Sequence, residues 1–148
     1  MINTLARTMF YPSLGYNVIL EKIGYTKWYN EFSPDEDEPD KVVILLGALP
    51  FRSMLSQLKT EGVTRVISVN EPRELKAKFI TLPKKSDWEA YGIEQKTISV
   101  CDFVGVPSVE QLDECAEFIK SSTGKIYIHC KAGRCRSATA SVPNLSKY

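Results

Sequence analysis

The sequence predicts an α/β chain of three layers, with a mainly parallel central sheet flanked by helices. Three observations carry that expectation. Four apolar or β-branched runs, at 41–46, 63–69, 94–100 and 125–129, alternate with stretches of helical periodicity. The first run is continuous rather than alternating, as suits a parallel strand covered on both faces. The last runs straight into His129-Cys130-Lys131-Ala132-Gly133-Arg134-Cys135-Arg136-Ser137, a loop-like stretch before Ala138-Thr139-Ala140. In sheets of this kind ligands bind beyond the carboxyl ends of the strands, and this stretch lies there.

At 148 residues the chain is long enough for one domain with a full core. Lys and Arg number 19 against 18 acids, so nothing in the total points to nucleic acid. Four cysteines with no CxxC pair and no secretory signal predict reduced thiols in an intracellular compartment. With one His and no cysteine pair at ligand spacing, the expectation is no metal site and no cofactor. The longest apolar run, 42–51, falls short of the roughly 20 residues that span a bilayer, so no transmembrane helix is expected.

Taken in order, residues 1–32 hold Arg7, Lys22 and Lys27 but no acid before Glu21, and they are rich in Met, Leu and aromatics. They suit a targeting or membrane-surface segment, or an arm that packs its aromatics on the core. Residues 33–40, Ser33-Pro34-Asp35-Glu36-Asp37-Glu38-Pro39-Asp40, form an acidic, proline-bounded connector, and residues 41–148 the main domain. After the strand at 41–46, a helix over 52–60 carries Met54, Leu55 and Leu58 on one face and ends at Gly62. Val63–Val69 is the second strand, stopped by Asn70-Glu71-Pro72.

Two short helical pieces are predicted at 73–78 and 86–91, the latter with Ser86 and Glu89 as a capping box. The third strand, 94–100, leads into a Gly- and Pro-bearing loop at 101–107. Ser108 then caps a helix with Gln111 completing the box, and Leu112, Cys115, Ala116 and Ile119 make its buried face. Cys115 is thereby predicted to be core filler. Gly124 closes this helix before the fourth strand, 125–129.

The chemistry gathers at the last strand's end. Of the four cysteines only Cys130 has an Arg six positions on, at Arg136, and it follows the chain's one His. A loop of that size can turn its backbone N–H groups inward and, with the positive end of a following helix, cradle a dianionic phosphate. A free thiol is mostly protonated at neutral pH. Lys131, Arg134, Arg136 and the inward N–H groups all favour its anion. The planar fork of Arg136 suits two equatorial phosphate oxygens, whereas lysine offers a point charge. Ser137 can donate to the sulfur as it leaves.

Asp102, in the loop after the third strand, is the candidate general acid for the departing oxygen and the base for a later water; an Asx turn is its bland alternative. His129 is expected to face away from the pocket and to fix loop backbone by hydrogen bonds. Cys101 and Cys135 raise the expectation that oxidised Cys130 is trapped as a disulfide with a neighbouring thiol, although Cys135 also suits a plain small loop residue.

These residues resemble the Cys-dependent protein-tyrosine phosphatase superfamily, whose signature is His-Cys-x5-Arg-Ser/Thr with an upstream Asp. More narrowly, Phe10-Tyr11-Pro12-Ser13-Leu14, Trp28-Tyr29, Leu46-Gly47-Ala48-Leu49-Pro50, Arg52-Ser53-Met54, Asn70-Glu71, Asp102, Gly105-Val106-Pro107 and His129-Cys130-Lys131-Ala132-Gly133-Arg134 are similar to the mitochondrial dual-specificity family acting on phosphatidylglycerophosphate. The resemblance reaches to about Ala140. It implies the superfamily's fold, a nucleophile at Cys130, a phosphate-binding Arg136, an acid at Asp102 and a phosphate cradle from Lys131, Ala132, Gly133, Arg134, Cys135 and Ser137. It implies an anionic phospholipid or a phosphoprotein as substrate, a place at the inner mitochondrial membrane with peripheral membrane association, and a monomer.

Two departures stand out: Cys135 replaces the family's usual Ser, and Pro143 cuts short the helix after the loop, beyond which the family adds further helices. The expectation is a domain incomplete at its C-terminus, weakened in stability. A non-catalytic form that keeps only the phosphate loop is the alternative, and a sulfurtransferase with the same loop shape a third.

Overall fold

The computed structural model describes residues 19, 22, 28–33, 42–70, 82–99 and 107–130. Its elements run β1 (Tyr29–Phe32), β2 (Val42–Gly47), a 3-10 turn (Arg52–Met54) continuing into α1 (Leu55–Thr60), β3 (Val63–Val69), α2 (Lys85–Ala90), β4 (Glu94–Ile98), α3 (Val109–Lys120) and β5 (Gly124–His129). The strands form one sheet in the order β1-β2-β5-β3-β4. β5 lies in the middle, parallel to β2 and β3, while β4 extends the parallel set and β1 alone runs antiparallel.

Alternation along the strands builds two cores. Ile44, Ile67, Val69, Ile98, Ile126 and Ile128 point to one face and pack with Cys115 and Ile119 of α3. Leu45, Val66 and Tyr127 point to the other, where Leu55 and Leu58 of α1 and Trp88 of α2 cover them. Helices on both sides of a mainly parallel sheet are the three layers that the sequence predicts.

α3 is set as its sequence specifies. The Ser108 hydroxyl accepts from the Gln111 backbone N–H at 3.2 Å, and the Gln111 side chain accepts from the Ser108 N–H at 2.9 Å. Cys115, Ala116 and Ile119 are buried, with Leu112 half-buried. The far end is tied down by Arg65 of β3, whose guanidinium donates to the Phe118 carbonyl at 2.6 Å and to Ser121 Oγ at 2.7 Å, and pairs with Glu94 of β4 at 2.9 Å. A cation at a helix C-terminus meets the negative end of the dipole.

The structure corrects four local expectations. Residues 29–32 are an edge strand rather than the end of an arm. Their carbonyls and N–H groups pair with β2, Tyr29 opposite Gly47, and Glu31 reaches Lys125 of β5 at 2.8 Å. The cap of α2 is Lys84 with Asp87, whose carboxylate accepts from the Lys84 N–H at 2.8 Å, because the helix begins one residue before Ser86. Gly124 does not close α3, which ends at Lys120; at φ +116° it opens β5 instead. The third strand ends at Ile98, short of 100. The helical piece expected at 73–78 lies outside the described residues.

Candidate active site at the carboxyl edge of the sheet

β5 enters the site from the densest part of the molecule. Ile126, Tyr127 and Ile128 are fully buried, and no strand edge is left open because β2 and β3 bond to either side. A strand so held has little freedom at its last residue. Its register sets Gly47 of β2 and Ser68 of β3 beside His129, so three parallel strands end at one edge. Cys130 is the next residue.

Period-two alternation places Cys130 and His129 on opposite faces. Cys130, 3% exposed, continues the Ile126, Ile128 row on the α3 side. His129, 1% exposed, continues from Tyr127 on the α1 and α2 side, its ring 5.7 Å from the Tyr127 ring. His129 therefore faces away from Cys130. Its Nε2 lies 2.8 Å from Ser68 Oγ, and Ser68 in turn accepts from Gln95 Nε2 of β4 at 3.0 Å. A polar chain thus crosses β5, β3 and β4 on the face opposite Cys130.

The loop that leaves β2 is fixed by a second polar contact. The Tyr127 hydroxyl donates to the Ala48 carbonyl at 2.7 Å, and burial pushes its ionisation well above the usual phenol value. Gly47 allows this approach: a Cβ there would stand 2.8 Å from both Tyr127 Cζ and Tyr29 Cβ. Leu49 and Pro50 continue the segment buried, and Asn70, just past β3, is buried at the same edge.

The buried thiol of Cys115 plays no part in this edge. It sits among the isoleucines under α3, where desolvation pushes its pKa from 9.0 up to about 11. Core filler is what its position in the α3 pattern predicts.

Of the candidate site residues, Cys130 and His129 are described. Asp102, Lys131, Ala132, Gly133, Arg134, Cys135, Arg136 and Ser137 lie outside the described residues, as does Cys101. The sequence reading missed Ser68, Gln95 and Tyr127. Ser68 did leave a signal, a lone hydroxyl inside the apolar run Val66-Ile67-Ser68-Val69; Gln95 left none, because a half-buried edge strand accepts amides freely.

A mainly parallel five-stranded sheet covered by helices, with a thiol at the end of its central strand, is the fold of the Cys-dependent phosphatases. Solved structures share this architecture: that of PTPMT1 in complex with PI(5)P superposes with a TM-score of 0.66 at 32% identity, covering 80% of this chain and 72% of that one. No protein-family model matches the chain.

Curated relatives take the assignment further. The phosphatidylglycerophosphatase and protein-tyrosine phosphatase 1 of Homo sapiens is 37% identical over 142 residues, 91% of this chain and 65% of its own length. Its counterpart in Rattus norvegicus is 39% identical over 142 residues, 91% of this chain and 68% of its own length. The chain belongs to the family of phosphatidylglycerophosphatase and protein-tyrosine phosphatase 1. It spans about two thirds of the length of these animal relatives, 65% of the human one.

Proposed function

We propose that this chain is a phosphoric monoester hydrolase working through a phosphocysteine intermediate, with Cys130 as nucleophile. The observation that supports it most is the placing of Cys130 at the carboxyl end of the central strand, in the one Cys-x5-Arg stretch of a chain from this family. The Cys130 thiolate attacks phosphorus; the phosphorus–oxygen ester bond breaks as Asp102 gives its proton to the departing alkoxide. Asp102, now a carboxylate, takes a proton from water, whose oxygen attacks phosphorus and releases phosphate and the Cys130 thiolate. Arg136 holds the equatorial oxygens through both transfers, with the N–H groups of Lys131, Ala132, Gly133, Arg134 and Cys135 around it. Ser137 donates to the leaving sulfur.

The preferred substrate in this proposal is phosphatidylglycerophosphate, with phosphotyrosine and phosphoserine or phosphothreonine of proteins second. The names of the human and rat relatives carry both activities, and PTPMT1 was solved with the phospholipid PI(5)P. Three cations within 131–136 suit a substrate with more than one phosphate. The product of such a step is the phosphatidylglycerol that cardiolipin synthesis consumes, and the proposed location, by family resemblance, is the inner mitochondrial membrane. Attachment there is proposed to be peripheral, as the family resemblance implies.

Turnover of an aryl phosphate and of phosphatidylglycerophosphate by the unsubstituted protein, beside Cys130→Ser and Asp102→Asn, tests this. Abolition by the first, and by the second a pH-dependent loss of kcat/KM that removes the fall on the alkaline side, support catalysis. Equal background in all three replaces it with a non-catalytic phosphate-binding chain.

A further inference from the structure

We infer that Ser68 and Gln95 are positioning residues that hold His129 as its Nδ1–H tautomer behind Cys130, an inference that rests on the phosphatase assignment above. The polar chain of β5, β3 and β4 has a direction. Gln95 Nε2 is an amide nitrogen and can only donate, so the Ser68 oxygen accepts from it at 3.0 Å. The Ser68 hydroxyl proton must then go elsewhere, and His129 Nε2, 2.8 Å away, is the acceptor in reach. Ser68 is fully buried, so no water competes for that proton. An imidazole that accepts at Nε2 carries its proton at Nδ1, the nitrogen nearer its own backbone, where β5 passes into Cys130.

The three side chains share a face for a reason of register. Ser68 is paired with His129 across β3 and β5, and Gln95 is paired with Val66, two residues before Ser68. All three therefore lie on the side of Val66 and Tyr127, opposite the row that ends in Cys130. Tyr127 closes the ring's other flank at 5.7 Å, and its hydroxyl is committed to Ala48. Position, plane and tautomer of the imidazole are set by groups that never meet a substrate.

The test uses the chain's single His, which makes its imidazole nitrogens unambiguous in a 15N–1H correlation spectrum. Neutral His129 should show the Nδ1–H pattern in the unsubstituted protein. Ser68→Ala should give a mixture of tautomers and lower kcat on an aryl phosphate by about tenfold with KM nearly unchanged, since a misplaced reacting group costs rate rather than binding. Ser68→Thr keeps the hydroxyl and should restore the pattern and most of the rate. Gln95→Ala, at a half-buried position, gives the same direction with a smaller shift and serves if Ser68→Ala does not fold. An Nε2–H pattern in the unsubstituted protein overturns the inference, and so does an unchanged spectrum and kcat in Ser68→Ala. If the unsubstituted protein shows no more turnover than Cys130→Ser, the phosphatase assignment falls and the positioning role with it, whereas turnover with an unmoved imidazole sinks the positioning role alone.

Discussion

The two faces of the sheet are built to different rules. The face under α3 is almost pure hydrocarbon: six isoleucine and valine side chains from four strands, joined by two thiols. Among the described residues its cross-element ion pairs, Lys96 with Glu114 and Arg65 with Glu94, each at 2.9 Å, sit at the rim where water reaches the groups. The face under α1 and α2 carries hydrocarbon only toward the amino ends of its strands. Toward the carboxyl ends it changes to Tyr127, Ser68 and His129, joined by Gln95 of β4 and Tyr29 of β1, with hydrogen bonds from Ser68 to His129 Nε2, Gln95 to Ser68, Tyr127 to Ala48 and Gln57 to Tyr29. Because strand side chains alternate, the same β5 supplies Cys130 to the dry face and His129 to the polar one. The Cys130 thiol thus sits in the packed row on one side, and its imidazole neighbour meets directed hydrogen bonds on the other.

If the dry face works by packing alone, removing carbon from its centre should be the costliest change in stability. Ile126→Ala, in the middle of β5 and fully buried, should destabilise by about 4 kcal/mol, from lost transfer energy plus the cavity left in a sheet that cannot collapse. Urea denaturation, with its slope unchanged, measures this. A loss below about 1 kcal/mol would show that this face relaxes as freely as a surface. On the polar face the equivalent damage comes from adding carbon. Gly47→Ala puts a methyl group into the Tyr127 and Tyr29 side chains and should cost about 3 kcal/mol, since the Tyr127 ring must leave its bond to Ala48 to admit it.

The thiol in the dry face gives a pH signature. Cys115 titrates near 9.0 when unfolded and near 11 when folded. Between these values the folded chain holds a proton that the unfolded chain has lost. Stability is therefore fully present below about pH 9 and is lost as pH rises toward and through 11, by about 3 kcal/mol in all. Cys115→Val keeps the volume and removes the proton, and its stability plotted against pH should be flatter over that interval. Tyr29, raised to about 12 by burial and by its bond to Glu61, contributes a separate decline at higher pH that this substitution leaves alone.

What the sequence made legible divides along the same line. The dry face was readable because it is built from repetition. Continuous β-branched runs mark the buried strands, and i, i+3, i+4, i+7 spacing marks the α3 surface that meets them, down to Cys115 as filler. β1 escaped because four residues with Asn30 and Glu31 among them carry no period of their own. An edge strand is specified by its partner's unpaired backbone, which no local pattern encodes. The polar face was half readable. The turn of His129 away from Cys130 follows from strand geometry alone, but Ser68 meets His129, Gln95 meets Ser68 and Tyr127 meets Ala48 across 61, 27 and 79 residues of chain, juxtapositions that exist only once the sheet has assembled.

The smallest change should say most about how the polar face is wired. Tyr127→Phe deletes one buried oxygen and leaves the Ala48 carbonyl without that donor, a cost of about 1 kcal/mol. The same oxygen is the atom that crowds a Cβ at Gly47 most closely. Removing it makes room, so Gly47→Ala should cost less in a Tyr127→Phe background than alone, by about 1 kcal/mol. Relief should be partial, because Tyr127 Cζ and Tyr29 Cβ still stand 2.8 Å from the new methyl group. Strict additivity in the double-mutant cycle would mean that the turn after β2 moves independently of β5. Coupling of the expected sign would mean that Gly47 and Tyr127 form one joint, through which the strand carrying His129 and Cys130 is pinned to the loop beside it.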